Sequence, residues 1–239
     1  MTRVELKKSG RRLDGLSVCF DLDGTLVDTA RDLVRVTNEV IALEGLPETD
    51  YRLARAVVGH GSMRLITDAL ARGGLTLDRD RLLELQQEFL SRYAETISQC
   101  SDPYPGVIDT LAELTSRGAR LSVCTNKPGW LARPLLRDLA MTHWFERIVG
   151  GDEAAASKPD PRHIHDAAGH SDARRIVMVG DSYPDMEAAR RASVHAVLMT
   201  YGYSSVPQIR LRADTRLHRM RDLVPTLESR YGTAETAVG

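Results

Sequence analysis

Short apolar runs recur along the chain, each ended by a polar or turn residue. They cover residues 16–20, 121–124, 148–150, 176–179 and 196–199. These runs show almost no apolar/polar alternation, which suits strands covered on both faces in a parallel sheet. Between and after them, apolar residues return at helical spacing over 107–117, 131–139, 161–168 and 184–192. Strands alternating with helices predict an α/β fold built on a doubly wound parallel sheet, a Rossmann-like core.

Residues 30–100 break that rhythm. Val34, Ile41, Leu53, Val57, Leu65, Ile66, Leu70, Leu82, Leu85, Phe89 and Tyr93 recur at helical spacings with no strand pattern between them. This predicts an inserted all-helical cap of three to five helices. The chain re-enters the core at "SDPYPGV", where Pro103 and Pro105 stiffen the backbone. The expected organisation is a core of residues 1–28 and 102–225, a cap of residues 29–101, and a tail of residues 226–239. That tail ends in the small, polar "GTAETAVG" and is expected to be disordered.

Size and charge narrow the classes. A chain of 239 residues, 42% apolar, suits one domain with an insertion. A net charge of −1 gives no global attraction to nucleic acid or to an anionic membrane. Arg210, Arg212, Arg216, Arg219 and Arg221 alternate with apolar residues and read as a solvated face. Three cysteines without framework spacing argue against a disulfide scaffold. Cys19 and Cys124 lie in apolar runs and read as small core residues. The charged N-terminus lacks a signal-peptide pattern, and no apolar run approaches the roughly 20 residues of a membrane span, so a cytoplasmic protein is expected.

In open α/β sheets, ligands gather beyond the carboxyl ends of the strands. Four stretches lie there. In "FDLDGT", Asp21 and Asp23 share one side of a strand end, where two carboxylates can bind a hard cation or divide nucleophilic and acid/base work. An Asp-Gly turn with an acidic cap explains them equally well. In "CTNKPG", Thr125 and Asn126 suit a phosphoryl oxygen, or simply cap the next helix. In "ASKPDP", Lys158 is either a fixed ammonium that offsets phosphoryl charge or a surface lysine. In "VGDSYPD", Asp181 and Asp185 follow the most apolar run, as metal carboxylates or as helix-start acids. Four accidents in this order are improbable, and together the stretches make a site for a phosphoryl group and a divalent cation.

Their order and spacing resemble the haloacid dehalogenase superfamily of aspartate-nucleophile hydrolases. The resemblance runs over residues 14–225 and matches all four motifs. It implies Asp21 as nucleophile and Asp23 as general acid/base. Mg²⁺ would be held by the Asp21 carboxylate, the Asp23 backbone carbonyl and Asp181. Thr125 and the backbone at Asn126 would bind phosphoryl oxygens, while Lys158 would offset charge. Asp185 would orient Lys158 or metal-bound water; Ser182, Gly24 and Thr25 complete the motifs. A dehalogenase needs no acid at position 23, so Asp23 implies a phosphatase.

Within the cap, "VVGHGSMRLITDAL" resembles the cap segment of phosphoglycolate phosphatases, as "DPYPGV", "VGGDE" and "TYGYS" do elsewhere. His60 and Arg64 are the cap candidates for a substrate contact. Three positions depart from the pattern. Ser193 stands where a left-handed glycine is usual, Ala154-Ala155-Ala156 replace basic residues, and Thr29 replaces Ser. Asp28 and Thr29 read as the linker into the cap. The expected substrate is a small phosphorylated metabolite, 2-phosphoglycolate first. A sugar phosphate, a pyrophosphate, a sugar phosphomutase reaction and a non-catalytic phosphate-binding protein are the alternatives. No nucleic acid or membrane partner is expected; monomer and homodimer stay open.

Overall fold

Strand β1, Ser17–Phe20, is buried along its whole length, as its mainly apolar run requires. The computed structural model describes residues 13–204 and 206–232. After β1 a two-residue strand β2, Val27–Asp28, leads into helices α1 (Ala30–Ile41), α2 (Tyr51–Arg55), α3 (Ser62–Arg72) and α4 (Arg79–Glu95). The chain returns through β3, Asp102–Pro103, which pairs antiparallel with β2 and sets Asp28 opposite Asp102.

The alternating part then follows: α5 (Val107–Ser116), β4 (Arg120–Cys124), α6 (Gly129–Asp138), β5 (Arg147–Val149), α7 (Arg162–Ala168), β6 (Ile176–Gly180), α8 (Tyr183–Ala192) and β7 (His195–Met199). It ends with β8 (Thr215–Leu217) and α9 (Leu223–Tyr231). The sheet runs β5-β4-β1-β6-β7-β8, all parallel. From β1 the chain winds outward through β4 and β5, then restarts at β6 on the other side of β1. The order therefore reverses between β1 and β6, where a doubly wound sheet opens its ligand crevice.

The two-residue period of the strands sorts their side chains. Val18, Phe20, Val177 and Val179 face Leu111, Leu135 and Leu227 of α5, α6 and α9. Cys19, Met178, Ala196 and Leu198 face Ile164, Met186 and Ala189 of α7 and α8. Each fully buried Leu, Ile or Phe contributes about 1.5–3 kcal/mol. The cap residues Val34, Leu65, Leu85, Phe89 and Tyr93 continue the first of these clusters. Two cap helices begin at aspartates: Asp50 accepts from the Arg52 and Leu53 amides at α2, and Asp78 from the Arg81 amide at α4.

Two features differ from the sequence expectations. Strand β8 lies where only a solvated arginine face is expected; Arg216 is exposed there, but the backbone pairs with β7. Three residues with one inward leucine give too little alternation to read as a strand. The tail expected from residue 226 is helical to Tyr231, because α9 buries Leu227 against the sheet. The rest of that tail, from residue 233, lies outside the described residues. Ser193 does occupy the left-handed position after α8, at φ 55° and ψ 33°. Among the described residues, no helix is long and apolar enough to cross a membrane.

Candidate active site

Strand β1 delivers Asp21 to the crevice. Its amide donates to the Val179 carbonyl at 2.9 Å, so the strand ladder continues to the acid itself. Gly24 then turns at φ 88°. A Cβ there would stand 2.6 Å from Asp181 Oδ2, so only glycine lets the turn pack against that acid. Strand β6 delivers Asp181, whose Oδ1 accepts from the Thr25 hydroxyl at 3.1 Å and Oδ2 from the Tyr203 amide at 2.6 Å. Asp185, in the first turn of α8, accepts from the Ser182 amide and hydroxyl at 3.0 and 2.6 Å.

Lys158 closes this group. Its ammonium lies 2.9 Å from Asp21 Oδ1 and 2.7 Å from Asp185 Oδ1, and donates to the Cys124 carbonyl at 2.6 Å. All three N–H directions are used. Burial opposes its charge, but Asp185 and Asp21 outweigh burial and raise its pKa. Asp21 and Asp181 are shifted upward by burial first and by Asp185 next, with Lys158 opposing at Asp21. One carboxylate oxygen each from Asp21, Asp181 and Asp185 lies within 4.8 Å of the other two. Three buried carboxylates facing one ammonium leave net negative charge, and an all-oxygen donor set of this kind fits a hard divalent cation.

Asp23 lies two residues from Asp21 but in a different environment. Its carboxylate accepts from the Thr29 hydroxyl at 2.6 Å and pairs with Lys127 at 3.1 Å. Thr125 is buried and accepts from the Lys127 amide at 3.2 Å. The Asn126 carboxamide donates to the Lys158 carbonyl and accepts from the Lys158 amide, both at 2.9 Å. That side chain therefore ties two strand-end loops together.

The cap reaches the site through Tyr93, on the last turns of α4. Its hydroxyl meets the Lys127 ammonium at 2.8 Å. Asp23 and Tyr93 raise the Lys127 pKa against the effect of burial. At the cap's base, Arg55 donates to the Tyr201 carbonyl at 3.1 Å and lies over the Tyr203 ring. The Tyr203 hydroxyl donates to Asp28 at 2.5 Å. Asp28 and Thr29, expected as a linker, thus each bond a residue around the site. Arg64 is exposed on the first turn of α3, and the His60 side chain lies outside the described residues. Cys19 and Cys124 are buried, with thiol pKa values pushed up by burial, to about 11 for Cys19.

Lys127 and Tyr93 are absent from the candidates named in the sequence analysis. Tyr93 reads there only as a core residue. Lys127 follows Asn126 within the same motif, and a lysine pinned between a strand-end Asn and a helix-start Pro was the available signal.

The family described as haloacid dehalogenase-like hydrolase matches residues 18–199, which include every strand-end residue above. This chain belongs to that family. Among haloacid dehalogenase-like relatives, it is 42% identical over 213 residues to the phosphoglycolate phosphatase of Caulobacter vibrioides, covering 88% of this chain and 90% of that protein. It is 35% identical over 195 residues to the N-acetylmuramic acid 6-phosphate phosphatase of Pseudomonas aeruginosa, covering 81% and 85%. A crystal structure of a predicted phosphoglycolate phosphatase from Haemophilus somnus 129pt superposes with a TM-score of 0.81. It is 29% identical and covers 90% of this chain and 98% of that one.

Proposed function

We propose that this haloacid dehalogenase-like hydrolase is a Mg²⁺-dependent phosphatase of small phosphomonoesters, with 2-phosphoglycolate as its substrate. One observation carries the reading. Asp21 and Asp23 leave the same strand end but face different partners, Asp21 toward Lys158 and the acidic cluster, Asp23 toward Thr29 and Lys127. Two carboxylates in two environments support two roles.

In this reading Asp21 attacks phosphorus, and the bond from phosphorus to the ester oxygen breaks. Asp23 gives its proton to the departing alkoxide. It then takes a proton from the water that attacks the aspartyl-phosphate, which releases phosphate and frees Asp21. Lys158 offsets the charge of the incoming phosphoryl group beside Asp21. Thr125 and the Asn126 backbone take phosphoryl oxygens. Asp21, Asp181, Asp185 and the Asp23 carbonyl would hold the cation, which when bound neutralises charge between nucleophile and phosphoryl group. Burial of these groups beneath the cap excludes bulk water, which strengthens each electrostatic contact.

The test is phosphate release from a panel of phosphomonoesters with and without Mg²⁺. Cation-dependent release, abolished in Asp21→Asn, is expected. No release from any ester, or undiminished release by the variant, overturns the reading. The Pseudomonas relative favours a second reading, a sugar-phosphate phosphatase, so N-acetylmuramic acid 6-phosphate belongs in the panel.

A further inference from the structure

Among the described residues, two buried ammonium groups serve this site, and one of them stands at the acidic cluster. Lys158 is fully engaged there. Lys127 stands on the other side, against the carboxylate that the proposed function assigns to the leaving group. Its side chain is only 5% exposed, and burying an ammonium costs several kcal/mol unless partners compensate it. Its partners are few. One N–H meets Tyr93, a second meets Asp23 Oδ1 at 3.1 Å, and the third has only a long approach of 3.4 Å to Asp23 Oδ2. Asp23 has a closer donor in Thr29 at 2.6 Å, so it does not depend on Lys127 for orientation.

Location then decides what the ammonium faces. To protonate the ester oxygen, Asp23 must come within hydrogen-bond reach of it. Lys127 is a neighbour of that carboxylate, so substituents one or two bonds beyond the ester oxygen fall within its reach. A neutral substituent gains little from a buried point charge; a carboxylate gains a charge-assisted hydrogen bond in a dry site. In 2-phosphoglycolate the carboxylate carbon stands two bonds from the ester oxygen.

We propose that Lys127 is the specificity residue of this site and takes a carboxylate carried next to the ester oxygen of the leaving alcohol. Tyr93 holds the ammonium in place from the cap. The proposal deepens the phosphatase reading and rests on it.

The experiment compares 2-phosphoglycolate with 2-hydroxyethyl phosphate, which has an uncharged group where the acid stands. Wild-type protein is expected to favour the acid in kcat/KM. Lys127→Met should lose about 10–100-fold more on 2-phosphoglycolate than on the neutral ester, the range for a lost hydrogen bond to a charged group. Lys127→Gln keeps hydrogen bonds to Asp23 and Tyr93 without the charge, and gives the same readout where the Met variant does not fold. Equal losses on both esters overturn the proposal and make Lys127 a support for Asp23 only. A wild-type protein that hydrolyses both esters equally overturns it too, and leaves the phosphatase reading standing. Release from neither ester overturns the phosphatase reading and this proposal with it.

Discussion

Thr29 donates its hydroxyl to Asp23 at 2.6 Å, the closest bond either proposed catalytic acid receives from a residue at the cap's base. The hydroxyl is fully buried, so water cannot replace it. Thr29→Val keeps the shape and removes the donor. It should lower kcat by about 10–100-fold, the range for a lost hydrogen bond to a charged group, while Thr29→Ser stays near wild type. Steady-state kinetics on the best ester check this.

Lys158 compensates Asp21 and Asp185 together. Lys158→Met leaves buried carboxylates without their cation. In cation-free buffer it should lower unfolding free energy by about 3–5 kcal/mol, as expected for breaking a buried pair from one side. Urea denaturation measures this, and added Mg²⁺ should recover part of the loss.

The carboxyl groups of Asp21 and Asp181 are held above their ordinary values by burial and by Asp185. A carboxyl raised in the folded state favours folding below its unfolded value of about 3.9. That contribution disappears as pH rises through the raised folded values. A divalent cation needs the deprotonated groups, so its stabilisation grows in the same direction. Cation-free protein should melt lower as pH rises from about 5 to about 8, and Mg²⁺ should raise the melting temperature more at the upper end. A melting shift that shrinks with pH would count against the acidic cluster as a cation site.

Ser193 sits at φ 55° after α8, far from the chemistry. A left-handed non-glycine residue costs about 1–2 kcal/mol, part of which glycine gives back as chain entropy. Ser193→Gly should stabilise the fold by roughly 0.5–1 kcal/mol, with kinetics unchanged. Thermal melting and one activity assay check both halves.

Strand ends were the most legible part of the chain. Apolar runs locate β1, β4, β6 and β7, and Asp21, Asp181 and Asp185 after two of these strands come together with Lys158 in the structure. What stayed hidden depends on contacts between distant segments. Strand β8 is short and polar, and forms because β7 offers it an edge. Lys127 and Tyr93 lie 34 positions apart, on a core loop and a cap helix, so no local pattern reports their contact. Asp28 and Thr29 read as connecting chain because their partners, Tyr203 and Asp23, are set by the turn around Gly24 and by the loop after β7.

The pairing of β2 with β3 has a modular consequence. Asp28 and Asp102 are direct partners, so the helical segment leaves and rejoins the core at a single point. A short hairpin turn is enough to join two antiparallel strands at that distance. Swapping residues 29–101 for the corresponding segment of a relative therefore leaves the strand order unchanged. The covalent joints of such a chimaera sit at one hydrogen-bonded stem, and the grafted helices must still present partners to Asp23, Lys127 and Tyr201 of the core.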